Sequence, residues 1–123
     1  MDLRAKVDPD SKELERALNG RRFQVVFSSH TLEHMRAPIL ETLNYWLRFV
    51  EVEGHLILYL PEERAYVFDR SNPTARNPAH KHFLTADTFI WYLLQIEQIK
   101  IEEFSMDVGA DRYSFLVILK RVK

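Results

Sequence analysis

The chain contains no cysteine. That absence excludes a disulfide framework, a thiolate zinc site, an iron–sulfur cluster and a cysteine nucleophile, and it fits a reducing, cytoplasmic location. Glycine is scarce: Gly20, Gly54 and Gly109 are the only three in 123 residues. Neither G-x-G-x-x-G nor the Walker pattern can be written with them, so a Gly-rich phosphate cradle is excluded for this chain. No charge of one sign dominates, with 17 basic side chains against 18 acidic ones and a formal net charge of −1. General nucleic-acid binding needs a basic face to displace counterions from phosphates, so no nucleic-acid partner is expected, although a local basic patch stays open. The longest apolar runs, Phe89 to Leu94 and Leu56 to Leu60, fall far short of the ~18 residues of a membrane span. Met1 is followed by Asp2 rather than by a basic region and an apolar stretch, so neither membrane insertion nor secretion is expected.

What is present describes one soluble domain: 46% hydrophobic and 28% charged residues, with 12% aromatics from eight Phe, five Tyr and two Trp. Such a chain can bury a core and is not disordered by composition. Leu3 to Val7 reads as a short strand. Asp8-Pro9-Asp10-Ser11 then opens a polar helix through about Leu18, with Pro9 and Ser11 in its first turn and Asn19-Gly20 ending it. Phe23 to Phe27 is β-rich and almost continuously apolar up to Ser28-Ser29, which predicts an inner parallel strand covered on both faces. From Pro38, residues Ile39, Leu40, Leu43, Trp46, Leu47 and Val50 draw one helical stripe ending before Gly54.

His55 to Leu60 is a second buried-type strand halted by Pro61 and followed by roughly twenty loop residues rich in Pro, Asn, Arg and Ser. Thr85 caps a helix to about Gln98, with Asp87 in its first turn and an all-round apolar segment, Phe89 to Leu94, that wants partners on both faces. Ile99 to Met106 and Arg112 to Val122 read as a terminal hairpin. The order implies an α/β layer with parallel strands joined by a crossover. Ligands of open α/β sheets sit outside the carboxyl ends of the strands, which directs attention to Ser28 to His34 and to Pro61 onward.

His30-Thr31-Leu32-Glu33-His34 spells H-x-x-E-H, in which two histidines four apart on a helix hold zinc and Glu activates water. That chemistry needs both rings on one helical face, whereas here the pattern begins directly after a strand and straddles a turn, so no metal is assigned to it. His80-Lys81-His82 places two imidazoles on one side of an extended segment, where with Arg76 they could hold a metal or a substrate anion, or simply be solvated. Arg64, Asp69, Arg70 and Arg76 give the same loop both signs of charge, as a polar acceptor or an ordinary wet surface would require. Ser28-Ser29 lacks the flanking glycines of a nucleophile elbow. Tyr45, Trp46, Phe89, Trp91 and Tyr92 read as core or interface rather than as base-stacking platforms.

Phe23 to His34, F-Q-V-V-F-S-S-H-T-L-E-H, resembles the fourth-strand segment F-D-x-V-x-S-S-H-x-L-E-H of class I S-adenosylmethionine-dependent methyltransferases. Pro38 with the helix after it, then Glu53 to Pro61, are similar to that family's fourth helix and its G-G-x-L-x-L-x-x-P fifth strand. Arg64 to Arg70 is similar to an acceptor-side loop of some members, and His80 to Thr85 with its apolar helix and the hairpin ending Tyr113 to Val117 complete the likeness. It spans residues 23 to 122. Gln24 stands where the family has Asp, and the Gly-rich first-strand loop and the acid ending the second strand are absent.

The resemblance implies a truncated Rossmann-like methyltransferase sheet, with parallel strands, a C-terminal antiparallel hairpin and flanking helices. Residues 1–123 would form one partial domain, with 1–22 an N-terminal strand/helix segment and 23–123 the C-terminal half. It implies S-adenosylmethionine as cofactor, with Ser28, Ser29 and His30 at its methionine end and Asp8 or Asp10 on the adenine side. Glu33, His34, Arg64, Arg70, His80 and His82 would face a small-molecule or sugar acceptor, His34 serving as general base beside Glu33. Completing the cofactor site would need a complementary chain carrying the Gly-rich half, or a dimer. The alternative is a non-catalytic remnant that binds a ligand or a protein. Without the first half of the sheet, Phe23 to Phe27 becomes an apolar edge, so homodimerisation is expected through that edge or through the Phe89 to Leu94 helix.

Overall fold

The computed structural model describes residues 6–63, 81–108 and 114–123. Helix α1 (Glu13–Leu18) precedes strand β1 (Phe23–Ser29), a 3-10 turn (Leu32–His34), helix α2 (Ile39–Leu47) and strand β2 (Val50–Pro61). Helix α3 (Ala86–Leu93) and strands β3 (Ile99–Val108) and β4 (Ser114–Arg121) follow. The four strands lie in the order β1-β2-β4-β3, with β1 parallel to β2 and the other neighbours antiparallel. This is a mixed α/β sheet of partial Rossmann-like form, with the parallel strands, the C-terminal antiparallel pair and the flanking helices that the motifs implied.

The two central strands make the core. Side chains alternate between the faces of a strand, and Leu56, Leu58 and Leu60 of β2 meet Phe115, Val117 and Leu119 of β4 on one face, all at 0% exposure. Each such residue contributes roughly 1.5–3 kcal/mol of burial free energy. Helix α2 covers that face with Ile39, Leu43, Trp46 and Leu47, and α3 does so with Phe89 and Leu93. Phe115 is the hub, edge-on to Phe89 at 5.7 Å and stacked on Phe104 at 5.3 Å. Thr85 caps α3 with the reciprocal pair that its position before the apolar run predicts: Thr88 N–H donates to Thr85 Oγ1 at 3.3 Å, and Thr85 N–H to Thr88 Oγ1 at 3.0 Å. The N-terminal segment is tied to α2 by Trp46 Nε1 donating to the Val7 carbonyl at 2.9 Å and by Glu15 N–H donating to the Tyr45 hydroxyl at 3.1 Å. Tyr45, Trp46 and Phe89 are therefore core residues, whereas Trp91 is 61% exposed.

Several elements differ from the sequence reading. Strand β1 is an edge strand, not an inner one, because among the described residues no strand lies beyond it; Phe23, Val25 and Phe27 are 39%, 55% and 62% exposed. Its continuous apolar run records one face packed on the core and another left open. Lys6 and Val7 lie in a 3-10 turn rather than a strand, and residues 1–5 of that expected strand fall outside the described residues. Helix α1 begins at Glu13, after Ser11 N–H has closed a turn onto the Asp8 carbonyl at 3.1 Å.

Helix α2 stops at Leu47 and β2 starts at Val50, so Gly54 is inside a strand and does not mark a boundary. There β2 bulges, the register slipping between Phe23↔Val50 and Val25↔His55, and Glu53 takes φ 73°. Helix α3 ends at Leu93 and is buried on one side only, with Leu94 at its end 74% exposed. Among the described residues no helix is long and apolar enough to cross a membrane.

The described helices all pack against the Leu56 face. The opposite face shows Val25 and Phe27 of β1, His55, Ile57 and Tyr59 of β2, and Leu116, Ile118 and Lys120 of β4. These range from half-buried to exposed. The motifs did not disclose this one-sidedness.

Gly54 sits where the backbone leaves no room for a side chain. A Cβ there would lie 2.7 Å from the Gln24 carbonyl oxygen and 2.9 Å from that of Glu51, and both are backbone atoms that cannot step aside. Gly54→Ala is expected to destabilise the fold by about 2 kcal/mol or more, measured as a drop in the urea midpoint at unchanged m-value.

Candidate functional site

The carboxyl end of β1 is where the chain turns most sharply. His30 N–H donates to the Tyr59 carbonyl at 2.8 Å, extending the parallel ladder one residue past Ser29. His30 itself then adopts φ 50°, the left-handed region, which costs a non-glycine residue roughly 1 kcal/mol. Its ring sits 5.1 Å from that of Tyr59, and its Nε2 lies 3.1 Å from Oγ of Ser114, the fully buried first residue of β4. The Thr31 hydroxyl donates to the Ser29 carbonyl at 3.0 Å and steadies the turn. Three strands thus meet at one imidazole.

The following 3-10 turn carries the other half of the cluster. Glu33 is at 0% exposure, with Oε1 3.4 Å from His34 Nε2, and the His34 side chain is 9% exposed. The Glu33 carbonyl accepts from Lys81 N–H at 2.6 Å and from His82 N–H at 3.1 Å, which brings the segment before α3 against the turn. His82 Nε2 lies 3.0 Å from the Ala37 carbonyl, an acceptor only, so Nε2 carries the proton and donates. The structure therefore gathers His30, Glu33, His34 and His82 at the carboxyl end of the sheet. Arg64, Arg70 and His80 lie outside the described residues, as does Arg76.

His30 and His34 do not share a helical face, because His30 closes a strand and the 3-10 turn starts only at Leu32. Among the described residues no group of three or more His, Asp or Glu side chains is placed to hold a metal ion.

Asp8 and the serines stand differently. Asp8 is 6% exposed, and its two carboxylate oxygens accept from backbone N–H groups, Asp10 at 3.1 Å and Arg36 at 2.7 Å. It ties the N-terminal segment to the turn before α2. Ser28 points into the core face, where its buried Oγ has no hydrogen-bond partner among the described residues. It lines a cavity of about 260 Å³ along β1, together with Leu14 and Leu18 of α1, Val26, Trp46 and Phe49. Ser29 and Thr31 also line it.

S-adenosylmethionine does not fit these residues alone. The cavity lies below the ~300 Å³ where small-ligand pockets begin. Its lining offers hydroxyls but no carboxylate for a ribose and no cradle of backbone amides for a methionine carboxylate.

Two groups at the end of β2 were not singled out in the sequence. Glu62 and Glu63 are 5% and 3% exposed, Glu62 Oε1 accepting from Ala86 N–H at 3.4 Å at the start of α3. Burial, and secondarily the neighbouring Glu62 carboxylate, push the Glu63 carboxyl up to about 7. Two adjacent acids directly after a strand-ending proline were the available signal.

No protein-family model and no curated protein matches this chain. Its fold is similar to the crystal structure of the small RNA methyltransferase HEN1, with a TM-score of 0.63 and 23% sequence identity. That likeness covers 84% of this chain and 14% of the HEN1 chain. It is a likeness of fold, and this chain spans about a seventh of the protein it matches.

Glu63 makes stability pH-dependent. A carboxyl raised from 4.5 to about 7 in the folded state stabilises the protein fully below its unfolded value, and that contribution is lost as pH rises through 7. Glu63→Gln is expected to flatten stability between about pH 5 and 8 and to raise it at pH 8 by on the order of 1–3 kcal/mol, read from urea melts across that range.

Proposed function

We propose that the chain is the acceptor-side half of an S-adenosylmethionine-dependent methyltransferase-like protein acting on a small-molecule or sugar acceptor. A second chain, laid along the open edge of β1, would complete the cofactor site. One observation carries this reading: the polar cluster at the carboxyl ends of β1 and β2 stands beside a strand edge that nothing covers among the described residues. In this reading residues 1–123 act as one partial domain, with 1–22 as its N-terminal segment. Ser28, Ser29 and His30 would present the cofactor-side wall, with Asp8 holding the turn behind them. His34, oriented by Glu33, would take a proton from the acceptor, which Arg64, Arg70, His80 and His82 would help to bind.

HEN1 is named for a small RNA, a polyanion. The formal charge of −1 on this chain supports a smaller acceptor. The lack of cysteine supports a reducing, cytoplasmic setting. The small, apolar cavity favours a second reading, a non-catalytic remnant that binds a ligand or a protein.

Calorimetric titration with S-adenosylmethionine separates the two. The isolated chain is expected to give no saturable heat at micromolar ligand, and to bind once a chain carrying the Gly-rich half is supplied. If no such chain restores binding, the methyltransferase reading fails and the remnant stands. Saturable micromolar binding by the chain alone would remove the need for a second chain.

A further inference from the structure

We propose that the cavity along β1 binds a small uncharged aromatic alcohol, of the size of a substituted phenol. This deepens the second of the two readings above, a remnant that binds a ligand, and rests on it. The lining changes character along the strand. Phe23 and Phe49, joined by Phe23 N–H donating to the Phe49 carbonyl at 2.8 Å, stand at the amino end of β1, and Ser28, Ser29 and Thr31 bring hydroxyls to its carboxyl end. Leu14 and Leu18 of α1 add apolar wall, as does Trp46, whose one polar atom is spent on the Val7 carbonyl. None of the described lining residues is charged. An ion entering such a lining would lose its hydration without replacement, so carboxylates, phosphates and ammonium groups are rejected. Size narrows the class further. An apolar cavity of about 150 Å³ takes up benzene, so by proportion a cavity of about 260 Å³ takes roughly ten non-hydrogen atoms, one ring with a short substituent. The aromatic lining favours a ring over a chain.

The hydroxyls define the polar group. Thr31 Oγ1 donates its proton to the Ser29 carbonyl at 3.0 Å, so toward a ligand it can only accept. Ser28 Oγ is shielded from water and has no hydrogen-bond partner among the described residues, a state that costs stability until a partner arrives. Rotation about its one side-chain torsion carries that oxygen between staggered positions, so it can meet a group seated in the cavity. A ligand hydroxyl answers both side chains, donating to Thr31 and accepting from Ser28. An ether of the same shape has no proton to give and answers Ser28 alone.

Titration of the full chain, followed through its backbone amide resonances, uses three probes of similar shape: 4-ethylphenol, 4-ethylanisole and 4-ethylbenzoate. The phenol is expected to bind saturably with a dissociation constant below about 1 mM, moving the amides from Val26 to Thr31 and raising the melting temperature. The ether should bind severalfold more weakly and the carboxylate not at all. Ser28→Ala removes a hydroxyl that has no partner, so the fold should hold while the preference for phenol over ether shrinks severalfold. Leu18→Trp, which fills the cavity from α1, should abolish binding of both; should that variant unfold, the Ser28→Ala comparison decides alone. No saturable binding of 4-ethylphenol overturns the proposal without touching the remnant reading, which the S-adenosylmethionine titration decides. Equal affinity for phenol and ether overturns it too. So does binding that survives Leu18→Trp, which would place the probe on exposed aromatics such as Trp91.

Discussion

The antiparallel pairing of β2 with β4 is the constraint on which the rest of the structure depends. Leu56, Leu58 and Leu60 on one strand and Phe115, Val117 and Leu119 on the other leave no exposed surface, and both flanking strands and the described helices are placed relative to them. The pairing joins residues some sixty positions apart, from Pro61↔Ser114 to His55↔Lys120. It also carries Ser114 to the carboxyl end of β1, where its hydroxyl meets His30. The candidate site therefore depends on the core. The imidazole of a left-handed residue is held by a strand from the far end of the chain.

The described helices cover one face of this sheet. Parallel sheets are ordinarily covered on both faces, and their strands are protected at both edges. Here the one parallel pair among the described residues lies at the edge, and β1 carries no charged residue or proline over Phe23 to Ser29 to discourage further pairing. The cavity beside β1 has an apolar lining because it adjoins the core, and its residues alone do not fit S-adenosylmethionine.

Much of the fold could be read directly. The 2-residue alternation and apolar runs at β2 and β4, the helical spacing from Ile39 to Leu47, and Thr85 before its helix are local signals, and local hydrogen bonding and burial honour them. The candidate site was legible in part. His30, Glu33 and His34 are contiguous, so their gathering near a strand end follows from sequence, whereas the approach of His82 and Ser114 depends on long-range contacts that no spacing rule reports. Glu62 and Glu63 were passed over because adjacent acids after a proline usually face water. Both are buried here, Glu62 accepting from Ala86 N–H at the start of α3.

By itself the sequence determined the type and order of most elements and the lack of cysteine and glycine chemistry, because these depend on residue type and short-range pattern. Which strand lies at the edge, which sheet face the described helices cover, that Gly54 serves a bulge, and that Asp8 closes on backbone amides were decided by the tertiary structure alone. An apolar side chain favours leaving water, but it does not specify what will cover it. That depends on which surfaces the rest of the chain brings within reach.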